Sequence, residues 1–265
     1  MSQKDIILET HDLRKDFGGL VAVDAVSIQV ERGSLHSIIG PNGAGKTTLF
    51  NLLTGNHRPT KGEIRYKGQD ITHAPLHRRA HIGIGRSFQI TNIFPNLTVL
   101  ENVRLAAQAL SKVNYSFLRR ADSYGEYVER ARSAIDLVGL TPMIYQPANI
   151  LPHGGKRKLE LAILLASDPE LLLLDEPTAG MASEQVPELI STIDSIRKSS
   201  GKTIIMVEHN MNVVMNISDR ITVMNLGRVL AEGVPTEIAA NRTVQNVYLG
   251  ELYGDFSDLG GAHGG

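Results

Sequence analysis

The stretch "SLHSIIGPNGAGKTTLFNLLTG", residues 34–55, decides how the rest of the chain is read. It opens as a short apolar run, passes through a glycine-rich turn, and then places Leu49, Leu52 and Leu53 at helical spacing ahead of a capping Gly55. Inside it, Gly40, Pro41, Asn42, Gly43, Ala44, Gly45, Lys46 and Thr47 fit the pattern G-x-x-x-x-G-K-[ST] between a predicted strand and a predicted helix. The chemistry follows from the residue types. Glycines let successive backbone amides curl around phosphate oxygens, Lys46 brings charge to the β- and γ-phosphates, Thr47 offers a hydroxyl to Mg²⁺, and the helix N-terminus adds a favourable dipole. A chance glycine-rich turn is the bland alternative, and the strand-to-helix setting argues against it.

Working outward, the same alternation recurs. "LLLLDE", Leu171 to Glu176, is an apolar strand whose end carries two carboxylates, and in a parallel sheet ligands collect at the carboxyl ends of strands. Asp175 there is expected to hold Mg²⁺ through water and Glu176 to polarise an attacking water. Acidic residues after a strand are more often solvated loop; the phosphate loop reverses that balance. "TIIMVEH" is a further strand ending at His209, a residue that reads as an ordinary surface histidine alone and as a γ-phosphate contact in combination. Gln89 in "GRSFQ" offers an amide that can meet both metal and water. Phe17, at the end of a strand-like run, reads equally as a core aromatic or as a stacking surface for a base.

Around these motifs, "IILETHDL" and "AVDAVSIQV" alternate as antiparallel strands, and "GEIRYKGQDI" adds further β structure. Residues from about Thr98 to Leu140 read as mainly helical, with Val128, Ala131, Ile135 and Val138 on one face and Gly139 closing the helix. From Lys156 onward helices separate strands, which implies a mostly parallel sheet covered on both faces.

The bulk composition narrows the function classes. With 42% hydrophobic residues, 265 positions can build a packed core, and Lys+Arg 27 against Asp+Glu 28 leaves a net charge of −1. That balance gives no general attraction to nucleic acid, so no nucleic-acid partner is expected. Cysteine is absent, which removes disulfides and thiolate metal sites. The first residues lack the charged start, apolar stretch and cleavage site of an export signal, and the most apolar region is interrupted by "SDPE". Its runs fall far below the roughly 20 residues that cross a bilayer. The tail "GDFSDLGGAHGG" is Gly-rich, and residues 255–265 are expected to be disordered.

Taken together, Phe17, Gly40 to Thr48, Gln89, Leu151 to Gly155, Asp175-Glu176 and His209 resemble the motif order of the ABC transporter ATPase family over nearly the whole chain. "FGGLVAVDAVSIQV", "GIGRSFQITNIFPNLTVLENV" and "ISDRITVMNLGRVLAEGVPTEI" are similar to the larger ATPase subunit of branched-chain amino-acid importers. The resemblance implies an α/β fold of the P-loop NTPase class and ABC ATPase type: a mostly parallel sheet core, an N-terminal antiparallel β subdomain, and a helical subdomain. Residues 1–254 would form one cassette, with core and β subdomain over about 1–95 and 156–254 and the helical subdomain over about 96–155. It also implies ATP and Mg²⁺ as cofactors, Phe17 as the adenine contact, and Lys46, Gln89, Glu176 and His209 as the hydrolytic set. Thr47, Gln89 and Asp175 would serve the metal. The implied partners are a second ATPase subunit, with a heterodimer favoured, two permease subunits, and indirectly a solute-binding protein. The implied place is the cytoplasmic face of the inner membrane. Urea, short amides and aromatic acids remain open as cargoes, and a non-transport ABC ATPase or non-hydrolysing regulator is the competing class.

Two departures stand out. Against the usual Leu-Ser-Gly-Gly-Gln signature, this chain has Leu151, Pro152, His153, Gly154 and Gly155, so the serine hydroxyl is missing. A hydrogen bond to a charged partner contributes roughly 1.5–3 kcal/mol, on the order of 10- to 150-fold in affinity, if nothing compensates. Proline in the first turn of a helix, close approach at Gly154, a donor from His153 and the backbone amides are expected to compensate. Ala182 stands where the family has Asp or Asn linking the two sites of a pair. The expectation is an asymmetric pair, with an intact core on this chain and a weaker site where its signature meets the partner.

Overall fold

The computed structural model describes residues 5–87, 93–109 and 122–253. In chain order the strands and helices are β1 Ile6–Phe17, β2 Leu20–Val26, β3 Gln29–Glu31, β4 Leu35–Ile39, α1 Lys46–Thr54, β5 Lys61–Tyr66 and β6 Gln69–Asp70. There follow α2 Leu76–His81, β7 Ile84–Arg86, α3 Val99–Ala109, α4 Asp122–Leu137, α5 His153–Leu165, β8 Leu171–Asp175 and α6 Val186–Ser200. The chain continues through β9 Thr203–Val207, α7 Met211–Ile217, β10 Arg220–Asn225, β11 Arg228–Gly233, α8 Pro235–Ala240 and α9 Arg242–Tyr253.

The apolar runs become strands because both of their faces find cover. In β8, Leu171 and Leu173 pack with α1 and the N-terminal strands, while Leu172 and Leu174 pack with α5 and α6. Ile205 and Val207 of β9 divide from Ile204 and Met206 in the same way, as the two-residue period of a strand requires. The resulting sheet has the order β11-β10-β4-β9-β8-β7, parallel throughout except for the edge pair β10–β11. A second, antiparallel sheet runs β2-β1-β5-β6 with β3 paired to β1. Helix α1 lies between the two sheets, burying Leu49, Phe50, Leu52 and Leu53.

Two features fix α1. Gly55 ends it at φ +82° and donates its amide to Leu52 O, the left-handed stop that glycine accepts most easily. Below that end, the buried Arg79 donates to the carbonyls of Leu52, Leu53, Ile71, Thr72 and Ala74. Burial lowers its pKa to about 10, so the guanidinium stays charged at neutral pH, where a cation suits a helix C-terminus.

Registers place the site. Ile38 of β4 and Asp175 of β8 both pair with Val207 of β9. Three adjacent strands therefore end at one level, and the loops leaving them carry Gly40 to Thr48, Glu176 and His209 side by side.

Candidate functional site

The turn after β4 is shaped by what surrounds it. A Cβ on Gly40 would meet Met224 O at 2.2 Å, and one on Gly45, at φ +97°, would meet Ala22 O at 2.4 Å. Neither position admits another residue without moving backbone. The loop is also tied across the molecule, since Gly227 N donates to Ala44 O and Asp24 N to Gly227 O. Lys46 begins α1 and is nearly buried, with Nζ donating to Gly40 O at 2.6 Å and Pro41 O at 2.8 Å. Its charge is thus held under the curl of the loop, directed by carbonyls that the loop itself supplies.

The loop forms the floor of a cleft of about 490 Å³, with residues 42–48 on one side and Glu176 and His209 on the other. Leu20, Val21, Ala22 and the β10–β11 turn at Leu226-Gly227 complete its walls. Glu176 sits just past β8 at φ +46°, a conformation unusual for a residue with a side chain, and its amide donates to Val207 O at 2.8 Å. His209 Nε2 lies 2.8 Å from Glu176 Oε1, and both side chains are open to solvent. The pair can therefore share a proton or a water at the cleft wall.

Asp175 lies deeper, outside the lining of this cleft and on a neighbouring cavity of about 20 Å³ with Ser87, Arg157 and Glu160. Its amide donates to Ser87 Oγ at 3.1 Å, and its Oδ2 is buried without a hydrogen-bond partner. Burial, reinforced by the charge of Glu176, raises its pKa, against the pull of Arg86 and His209. An orphaned carboxylate oxygen at the end of β8, level with the end of the strand that delivers the threonine-bearing loop, fits a Mg²⁺ ion that keeps most of its waters and takes phosphate oxygens. Among the described residues no cluster of three His, Cys, Asp or Glu side chains could hold a metal alone.

The other expected residues fall as follows. Phe17 ends β1 with its ring partly exposed, edge-on to His57 at a centroid distance of 5.4 Å and with Lys15 Nζ 4.9 Å from its centroid. It stands outside the cleft lining, where its own hairpin contributes Leu20 and Val21 instead. Gln89 lies outside the described residues. None of Leu151 to Gly155 lines the cleft. Pro152 occupies the N-cap of α5 at φ −61°, ψ 166°, one residue before the first turn where it was expected, and accepts from Lys156 N through its carbonyl. Its ring supplies no side-chain cap, so His153, Gly154 and Gly155 lead the helix with their amides.

Two further features carry little mark in the sequence. Exposed Leu20, Val21 and Leu226 form apolar cleft walls, signalled only by apolar residues next to the turns at Gly18-Gly19 and Gly227. Glu208, adjacent to His209, is buried and accepts four hydrogen bonds.

The ABC transporter family model matches residues 23–179, and a model for branched-chain amino acid ATP-binding cassette transporters matches residues 228–253. The chain is 39% identical over 252 residues to the high-affinity branched-chain amino acid transport ATP-binding protein BraF of Pseudomonas aeruginosa. It is 40% identical over 252 residues to LivG of Salmonella typhimurium; each alignment covers 92% of this chain and 98% of the relative. Among solved structures, the ADP conformation of MJ1267, an ATP-binding cassette of an ABC transporter, is similar with TM-score 0.80 and 29% identity. That likeness spans 92% of this chain and 99% of the other. The dimeric MJ0796, a bacterial ABC transporter cassette, is similar with TM-score 0.71 and 26% identity over 86% of this chain and 99% of its own. The chain belongs to the ABC transporter family, as one of its nucleotide-binding ATPase subunits.

Proposed function

We propose that this chain hydrolyses ATP to energise import of branched-chain or other hydrophobic amino acids, working as half of a cassette pair beneath two permeases. The cargo rests on likeness to BraF and LivG across 92% of the chain. The chemistry rests on one observation, the Glu176–His209 contact at the mouth of the phosphate-loop cleft.

In this reading the amides of residues 42–48 wrap the phosphates and Lys46 exchanges its carbonyl partners for phosphate oxygens. Thr47, Asp175 and Gln89 would hold Mg²⁺, which when bound supplies positive charge to the phosphate oxygens. Glu176 orients and deprotonates the attacking water, while His209 fixes the Glu176 carboxylate and reaches the γ-phosphate. Leu20, Val21 and Phe17 offer the base an apolar flank. The amides of His153 to Gly155, led by Pro152, face the nucleotide of the partner, as in a dimeric cassette. The contact of Glu176 with His209 is half open to water, so its own contribution to stability is small; its value lies in geometry.

An apolar hollow of about 350 Å³ among α2, β7, α3 and α5, lined by Leu76, Ala80, Ile84, Ala106, Ile163 and Leu164, supports the seating of a permease segment. Among the described residues no helix is long and apolar enough to cross a membrane, which accords with a subunit that meets the bilayer only through such partners. We take residues 96–155 as the helical lobe of a single cassette.

The test is uptake of radiolabelled leucine by vesicles holding the assembled transporter, with ATP inside. ATP-dependent uptake abolished by Glu176→Gln is expected. Uptake of another solute class with no competition by leucine would overturn the cargo, and undiminished turnover in Glu176→Gln would overturn the site.

A further inference from the structure

The carboxylate of Glu208 is only 3% exposed and, among the described residues, forms no ion pair with a Lys or Arg, yet it accepts four hydrogen bonds. One oxygen accepts from Thr178 N at 3.0 Å and from Thr178 Oγ1. The other accepts from His209 N at 2.9 Å and Asn210 N at 3.2 Å. A buried carboxylate is tolerated when so many hydrogen bonds replace water. What matters is which pieces of chain those donors belong to. Thr178 follows Glu176 by two residues, and His209 and Asn210 form the turn after β9.

We propose that Glu208 is a positioning residue for hydrolysis, a buried bracket that sets the separation between the Glu176 backbone and the turn carrying His209. Glu176 is suspended between two anchors on the same strand end, its amide on Val207 O and its following loop on Glu208. His209 is held by its amide on the other oxygen of that carboxylate, and Asn210 continues the turn by capping α7 through Asn212 N and Val213 N. The 2.8 Å contact between two solvent-open side chains is therefore set from beneath by a group that water does not reach.

The bracket extends further. Beyond Thr178, Ala179 O accepts from Arg157 of α5 at 3.2 Å. The loop that Glu208 grips thus also bears on the helix led by Pro152 and His153, and a shift of the His209 turn is carried to that helix through the Glu208 carboxylate, the main chain of Thr178 and Ala179, and the Arg157 guanidinium. No polar side chain at Ala182 is needed for this link. The inference rests on the reading of Glu176 and His209 as the hydrolytic pair.

Glutamine cannot reproduce the bracket. Whichever way its amide turns, an NH₂ group faces one set of N–H donors. The experiment uses the full chain in the assembled transporter and measures kcat, KM for Mg·ATP, nucleotide affinity and melting temperature. Glu208→Gln is expected to lower kcat on the order of 10- to 100-fold, as misplacement of a reacting group does, with KM and nucleotide affinity within about three-fold. Thr178→Ser keeps the hydroxyl and should stay near wild type, whereas Thr178→Val should lose several-fold in kcat. The double change Glu208→Gln with Thr178→Val should be little worse than Glu208→Gln alone.

Unchanged kcat in Glu208→Gln would overturn the proposal, as would kcat, affinity and melting temperature falling together, the mark of a merely structural group. Should Glu208→Gln fail to fold, equal kcat for Thr178→Ser and Thr178→Val would overturn it. Undiminished turnover in a parallel Glu176→Gln chain would remove the hydrolytic pair itself, and the proposal with it.

Discussion

The phosphate loop and the segment "LPHGG" are both glycine-rich turns that lead into a helix N-terminus, and the molecule treats them oppositely. In the phosphate loop, Met224 O and Ala22 O crowd Gly40 and Gly45, Gly227 ties the main chain at Ala44, and Lys46 is nearly buried, while Asn42, Gly43 and Thr47 stay open to the cleft. At α5 the leading residues Pro152 and His153 are exposed. A Cβ on Gly154 would find only ordinary contacts, with Gln185 Oε1 at 3.6 Å and Met181 Cε at 3.7 Å. Within this chain, then, the backbone at Gly40 and Gly45 is constrained by the fold, while Gly154 carries no such constraint. The proposed site, closed between two chains, needs that division. The half that holds nucleotide must be preorganised, and the half that is donated needs only accessible amides and a helix dipole.

Glu176→Gln should produce the largest effect, a fall in hydrolysis on the order of 10²- to 10⁴-fold with nucleotide binding retained, as removal of a general base does. Rapid-quench turnover and equilibrium binding check it together; loss of binding instead would mean that the constrained half depends on the pair as well as on the loop.

Next is the direct contrast of glycines. Gly45→Ala should weaken ATP binding by about 100-fold or more, because the new methyl group meets backbone at 2.4 Å in a left-handed conformation. Gly154→Ala should leave melting temperature and isolated-chain ATP affinity unchanged and act only on nucleotide-driven dimerisation. Equal damage from both, read by calorimetry and by size-exclusion chromatography with ATP, would break the contrast.

Acid should sharpen it further, because β4 delivers the phosphate loop and contains the buried His36. Its Nε2 pairs with Thr222 Oγ1 at 2.7 Å, and burial, with a smaller push from Arg220, lowers its pKa to about 4. The unfolded chain takes up that proton below the ordinary histidine pKa of about 6.5 and the folded chain does not. Stability contributed by neutral His36 is therefore complete above that value and is lost as pH falls toward 4, by at most about 3 kcal/mol. Chemical denaturation across this window should show a flatter slope for His36→Gln; an identical slope would remove His36 from the account.

Phe17→Ala should have the smallest effect, a rise of a few-fold in KM for ATP, since stacking contributes roughly 0.5–1.5 kcal/mol and Leu20 and Val21 already line the cleft. A loss of 100-fold would make the ring, not the strand beside it, the adenine surface.

Much of this was legible in the chain because its signals were redundant. β8 and β9 read as continuous apolar runs, and such runs belong to strands covered on both faces; the turn between β4 and α1 has residue types that few other geometries need. The less legible parts share a physical cause. Arg79 in "LHRRAH" looks like one of several solvated charges, and only the folded chain brings five carbonyls around it. Glu208 stands beside a motif residue and gives no sign in sequence of being buried. Strand β11 lies at a sheet edge with mixed exposure along its length, so it lacks the alternation that marks a half-buried strand. Pro152 fell one position from its expected place because an N-cap takes extended backbone, which proline also accepts, and the first turn then starts at His153.

The central claim is that "LPHGG" works through its backbone while the phosphate-loop half of the same chain carries the constrained chemistry. The measurement that tests it most directly is steady-state Mg·ATP hydrolysis by the assembled transporter with Pro152→Ser against the unchanged chain. Turnover within about three-fold of the unchanged chain is the expected result, since the amides of His153 to Gly155 stay in place. Turnover that rises 10-fold or more once the hydroxyl is restored, in the range a charge-assisted hydrogen bond commands, would contradict it and show that backbone amides alone do not suffice at this signature.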